Sequence, residues 1–180
     1  MIITIIGVDG VGKTTLAKNL SRTIKDSTYT YAGYNPENRK YFLFNKFIKK
    51  KRKSLLGRFF IRFLIITNDL LEFYYQKNSQ IKIYDRYIYD NIVQNYQSER
   101  QSFYKRLSVI FPKPDLLVLL SGDENIIFER KKELTPLIIK EQTLEYKKIF
   151  EELNIKYYEF DTTKLNEEML LKEVLNVYEK

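Results

Sequence analysis

The stretch Ile5–Thr15 reads IIGVDGVGKTT, and its interpretation decides the fold. Met1 to Ile6 is apolar and rich in β-branched residues, as in a buried strand. From Lys13 to Lys25, Leu16, Ala17, Leu20 and Ile24 recur at helical spacing. Between them, Gly7 to Thr14 fits G-x-x-x-x-G-K-[ST] in the strand-to-helix setting that motif requires. Glycines turn the chain tightly and bring backbone N–H groups close to phosphate oxygens. The helix start adds a partial positive end. Lys13 supplies a point charge for the outer phosphates, and the Thr14 hydroxyl is placed to ligate Mg²⁺. Gly7, Asp9, Gly10, Val11, Gly12, Lys13, Thr14 and Thr15 are thus the candidate polyphosphate-binding residues.

Outward from this loop, strands and helices alternate. Short strands are expected at Tyr29–Tyr31, Ile81–Tyr84, Leu116–Leu120 and Lys156–Phe160. Helices are expected at Leu55–Tyr75, Ser102–Phe111, Glu141–Leu153 and Asn166–Tyr178, with a helical stretch up to about Lys50. Ser121 and Glu124 have capping-box spacing, which predicts a further helix from there to about Lys132. With no repeat and no low-complexity linker, the order predicts one α/β domain over 1–180, with a parallel sheet and helices on both faces.

Composition narrows the chemistry. The 180 residues are 44% hydrophobic and 30% charged, with no Cys and no His. Disulfides, thiol catalysis, Ser-His-Asp hydrolysis and most zinc chemistry are excluded. No secretory segment is read, so a cytoplasmic location is expected. Leu55–Leu71 is apolar but cut by Arg58, Arg62 and Asn68, so no membrane span is expected. The net charge of +8 is concentrated: Asn38–Asn68 holds ten Lys or Arg and no acid. An acidic, phosphate-bearing partner fits that balance.

"GVDGVGKTT", then "YDRYIYD" at Tyr84–Asp90, then "PKPDLLVLL" at Pro112–Leu120, resemble in order and distance the thymidylate kinase branch of the P-loop nucleoside monophosphate kinases. The resemblance covers most of the chain and is weakest over residues 33–54. It implies a P-loop NTPase fold with five parallel strands, acceptor-side helices at about 33–76 and a short helical lid at about 125–142. It implies ATP with Mg²⁺ as donor and a phosphorylated nucleoside as acceptor, with dTMP the family default. Asp85, ending a strand beside the loop strand, is expected to hold Mg²⁺ through water, and Arg86 to grip an acceptor phosphate with its planar fork. A plain ion pair at a strand end is the other reading of these two residues. Asp9 is expected to reach the acceptor sugar, Tyr87 to join the acceptor side, and Asp161 with Thr162 and Thr163 to lie by the adenine.

The sequence also departs from the family. Where some relatives carry a loop arginine this chain has Gly10, so the catalytic cations must come from the lid, where Arg130, Lys131 and Lys132 stand. These three also suit a solvated helix terminus. Tyr31–Pro36 replaces an arginine-containing segment. Asp69 stands where the family has a base-reading arginine, which should change the preferred acceptor. Asp90 stands where Ser is frequent. Arg58 and Arg62 share a helix face and are candidate acceptor contacts. Lys49–Lys53, near Tyr41, Phe42, Phe44 and Phe47, leaves a polynucleotide end open as an acceptor, beside other phosphorylated small molecules. A nucleotide switch is disfavoured, because Asn45-Lys46-Phe47-Ile48 lacks the guanine-reading aspartate. A nucleotide-binding regulator without transfer activity is the remaining rival, and a homodimer is left open.

Overall fold

The computed structural model describes residues 1–32 and 81–179. Its centre is β1 (Ile2–Gly7), where Ile3, Thr4, Ile5 and Ile6 are all 0% exposed. A strand buried on consecutive residues must be covered on both faces, which explains why its sequence does not alternate. β4 (Leu116–Ser121) is buried along its whole length for the same reason. β2 (Ser27–Tyr31), β3 (Ile81–Asp85) and β5 (Tyr158–Asp161) complete a five-stranded sheet in the order β2-β3-β1-β4-β5. Every pairing is parallel. The two edge strands are only half-buried and carry more polar residues.

Six helices are seen among the described residues. α1 (Lys13–Thr23) packs on β1, β2 and β3 and meets α6 (Glu167–Tyr178). α2 (Ile88–Val93) contacts β1, α3 (Arg100–Ser108) and the long α5 (Pro136–Glu152), which also carries α4 (Glu124–Arg130). Residues 125–142 therefore comprise most of α4, a short link and the first turns of α5. No helix among the described residues is long and apolar enough to cross a membrane.

Three expectations need correction. Ser121 does not cap α4, because the parallel ladder pairing it with Asp161 keeps it in β4. The cap is Asp123, whose Oδ1 accepts from the N–H groups of Asn125 and Ile126 at 2.9 and 3.1 Å. α5 starts at Pro136 rather than Glu141, since Thr135 caps it and proline fits the first helical position. α2 lies where no helix was expected. Asp90 starts it by accepting the Tyr87 N–H at 2.7 Å. The expected helix at 55–75, the helical stretch before it, the basic run Lys49–Lys53, and Arg58, Arg62 and Asp69 lie outside the described residues.

The sheet order places the site. β1 connects through α1 toward β2, whereas the chain after β3 goes to β4 on the other side of β1. The loops after β1 and β3 thus diverge at their carboxyl ends, and such a crevice is where open α/β sheets bind ligands.

Candidate active site

The loop after β1 is pinned by Val8 and Val11, which are buried at 2% and 1% exposure. Gly7 has φ +141°, and a Cβ there would collide with the Leu120 carbonyl oxygen of β4. Gly12 is the N-cap of α1 at φ +91°, and a Cβ built on it meets nothing within 4 Å. No side chain caps α1. Its first N–H groups thus have no side-chain acceptor, an arrangement suited to an anion.

Lys13 is 5% exposed, and its Nζ donates to the carbonyls of Gly7 and Val8 at 2.8 and 2.7 Å. A third, longer contact reaches Asp9 Oδ1 at 3.3 Å. Burial, and then the nearby Arg86 charge, lower its pKa, against the pull of Asp90, Asp9 and Asp85.

Thr14, one residue into α1, donates its hydroxyl to Asp85 Oδ2 at 2.5 Å. Tyr29 of β2 donates to the same oxygen at 3.3 Å. Burial and then the Asp85 charge raise the Tyr29 hydroxyl to about 12, so it stays a donor at neutral pH. Asp85 itself is 0% exposed, and its Oδ1 is buried with no hydrogen-bond partner among the described residues. A buried carboxylate oxygen with spare acceptor capacity beside a threonine hydroxyl fits Mg²⁺, which takes oxygen ligands and keeps several waters. No cluster of three or more acidic side chains offers an all-protein cage among the described residues.

β3 hands the chain to Arg86, which has a left-handed backbone, φ +76°, while its N–H still bonds the Ile5 carbonyl at 2.9 Å. Its guanidinium lies between two carboxylates. Nη2 donates to Asp9 Oδ1, and Nη1 stands 3.8 Å from Asp90 Oδ1. Its Nε is buried without a partner among the described residues. Burial alone would weaken the charge, but Asp90 and Asp9 outweigh it and raise the Arg86 pKa. For Asp9, burial pushes the pKa up, but Lys13, Arg86 and Lys131 together bring it below the usual value. Asp90 is 3% exposed, and burial raises its pKa against Arg86, Lys13 and two hydrogen bonds. One of those bonds comes from Tyr146 of α5, at 2.9 Å to Oδ1.

Beyond the loop lies a cavity of about 400 Å³, lined by Gly10–Gly12, Leu16, Asn19, Arg130, Thr162 and Leu165 among others. Arg130 donates to the Thr162 hydroxyl and carbonyl at 3.2 and 2.9 Å. It therefore belongs to the wall formed by the segment after β5. Asp161 does not line this cavity. Its Oδ1 is occupied by the N–H and hydroxyl of Thr163 at 2.9 and 2.5 Å.

The fold thus gathers Asp9, Lys13, Thr14, Asp85 and Arg86 into one cluster. It does not bring Tyr87 there. That ring is 2% exposed, packs against Tyr84, Tyr89 and Phe111, and its hydroxyl donates to the Pro112 carbonyl. The sequence reading missed Tyr29 and Tyr146. Asp90 had a signal, as an acid where a small hydroxyl is frequent.

Known proteins share this fold over nearly the whole chain. The thymidylate kinase family model matches residues 5–173. A search of curated proteins finds no match. Among solved structures, thymidylate kinase from Candida albicans superposes with TM-score 0.69 at 19% identity, over 99% of this chain and 90% of its own. Deoxyadenosine kinase from M. mycoides gives 0.65 at 16% identity over 99% of both chains. Thymidylate kinase from Ehrlichia chaffeensis gives 0.64 at 16% identity, over 100% of this chain and 98% of its own. At such identities these likenesses speak for the fold, whereas the family model spans the phosphate loop, the Asp85-Arg86 corner and β4 together. The chain belongs to the thymidylate kinase family, and it is a P-loop nucleotide kinase.

Proposed function

We propose that this kinase moves the γ-phosphoryl group of ATP onto a nucleoside monophosphate, with dTMP the family default for the acceptor. The observation that carries the reading is the contact between the exposed Thr14 hydroxyl and the buried Asp85 carboxylate, at an uncapped helix start whose Gly12 opens onto empty space. Donor phosphates would lie on the loop amides with Lys13 beside them. Thr14 and Asp85 would hold Mg²⁺, Thr14 directly and Asp85 through water. When bound, the ion supplies charge neutralisation on the transferring group. Phosphoryl transfer needs positioning and positive charge more than a strong base, so the absence of histidine is no obstacle.

Arg86 would take the acceptor phosphate by exchanging its Asp9 contact for it, and the released Asp9 would meet the acceptor sugar. Arg130, on the wall of the donor cavity, would serve the base end of ATP, together with Thr162, to which it is hydrogen-bonded. The Arg58 and Arg62 side chains remain candidates for the acceptor from their sequence spacing alone. A cytoplasmic location fits the reading and rests on the sequence.

A second acceptor class is favoured by one finding. The M. mycoides relative is a deoxyadenosine kinase whose structure carries dCMP as a product. Transfer should therefore be assayed with Mg²⁺ and radiolabelled ATP across nucleoside monophosphates, deoxynucleosides and short oligonucleotides. Turnover of a monophosphate is the expected result. Turnover of deoxynucleosides or oligonucleotide ends alone would replace the acceptor. Binding of ATP with no transfer to any of them would reduce the protein to a nucleotide-binding regulator.

A further inference from the structure

Lys13 has three N–H donors, and all three are engaged, by the carbonyls of Gly7 and Val8 and by Asp9 Oδ1. To hold a phosphate oxygen it must release at least one of them. Asp9 is a poor candidate for release, because Arg86 gives up that same carboxylate when it turns to an acceptor phosphate. Leaving a buried carbonyl without a donor is costly. The Gly7 carbonyl has another donor at hand: the Tyr146 hydroxyl, 3.4 Å away. Tyr146 is 2% exposed, and its single proton now favours Asp90 Oδ1 at 2.9 Å.

We infer that Tyr146 is a positioning residue whose buried hydroxyl swings from Asp90 to the Gly7 carbonyl when Lys13 leaves that carbonyl for a polyphosphate. The swing has a second consequence. Asp90 Oδ1 loses a donor and draws on Arg86, whose Nη1 is 3.8 Å away and whose Nε is buried without a partner among the described residues. Arg86 then leans on Asp90 from behind and lets go of Asp9. Donor binding thereby prepares the acceptor side through one tyrosine that touches neither substrate. The idea rests on the reading of Lys13 as a phosphate ligand.

In the wild type, Tyr146→Phe removes a donor from Asp90 without nucleotide and from Gly7 with it, so the two losses offset. The Asp90→Ser background isolates the Gly7 contact. The test compares Asp90→Ser with Asp90→Ser/Tyr146→Phe, as full chains, by calorimetric titration with Mg·AMP-PNP and by melting with and without it. Adding Tyr146→Phe should weaken binding roughly fivefold or more, the cost of a stranded buried acceptor. Without nucleotide, where Lys13 still covers Gly7, it should leave Tm nearly unchanged. A structural role alone would lower Tm and spare the affinity. Equal affinity in the two variants overturns the inference while the kinase reading stands. Failure of the wild-type chain to bind Mg·AMP-PNP overturns both. Should the serine leave too large a gap for folding, the Asp90→Thr pair, which fills more of that gap while keeping the shorter side chain, gives the same decision.

Discussion

The phosphate end of the cleft and its far end, across the 400 Å³ cavity, are built differently. At the phosphate end the polar groups are sunk into the sheet: Lys13, Asp85 and Asp90 are 5%, 0% and 3% exposed. Each is held by backbone or by a partner from another element. At the far end Arg130 reaches across to Thr162, and the neighbouring Asn166 and Glu167 are exposed. Buried groups can be placed to within tenths of an ångström, and their errors are expensive. Exposed groups can be exchanged at little cost to the fold. On the proposed reading, the buried end would serve the phosphate chemistry and the exposed rim the base end of the donor.

Four measurements would sharpen or break that contrast. The largest effect is expected for Lys13→Ala, with transfer falling on the order of a thousandfold while the circular dichroism spectrum is kept. Full activity in that variant would refute the role given to Lys13. Gly7→Ala should come next, destabilising the fold by on the order of 3 kcal/mol in urea titrations, through backbone strain and the collision with Leu120. A wild-type midpoint would show that the loop yields more easily than its burial implies. Arg130→Ala should raise the KM for ATP by about fivefold and spare kcat, as expected from losing an exposed-end contact. A collapse of kcat instead would move Arg130 into the transfer step.

The smallest effect concerns pH. Against the effect of burial, Lys13, Arg86 and Lys131 hold the Asp9 carboxyl below its usual range, so its pairing contributes stability above that range, and this is lost as pH falls through the lower folded value. Asp90 is shifted upward by burial, so its protonation favours the folded chain as pH falls through the raised value. Asp9→Asn should therefore flatten the acid limb of a stability curve below about pH 4. Asp90→Asn should remove the opposing rise at higher pH. The same acid limb in wild type and Asp9→Asn would contradict the charge cluster.

The phosphate loop was legible because its residues act within eight positions through the backbone they themselves shape. The central strands were legible because burial on both faces leaves an unbroken apolar run. What the sequence hid depends on distant partners. Tyr146 is one aromatic on a long helix until α5 docks and aims it at Gly7 and Asp90. Tyr87 was expected on the acceptor side from the resemblance of its segment to the family. The left-handed backbone at Arg86 separates the two side chains, and Tyr87 ends among aromatic rings. Ser121 looked like a cap because its spacing to Glu124 is local, whereas its pairing with β5 is not. Short α2 offered too few turns for periodicity to show.

Gly10 carries a consequence for how this enzyme can change. A Cβ at that position would stand 3.2 Å from both the Ile127 carbonyl oxygen and Lys131 Cβ, so α4 and the link after it lie hard against the loop. Those neighbours would have to give by a few tenths of an ångström to admit even that carbon, and the φ of +96° strains any side chain there. A longer side chain introduced at position 10 would therefore press on α4, and through it on the Arg130 contacts to Thr162.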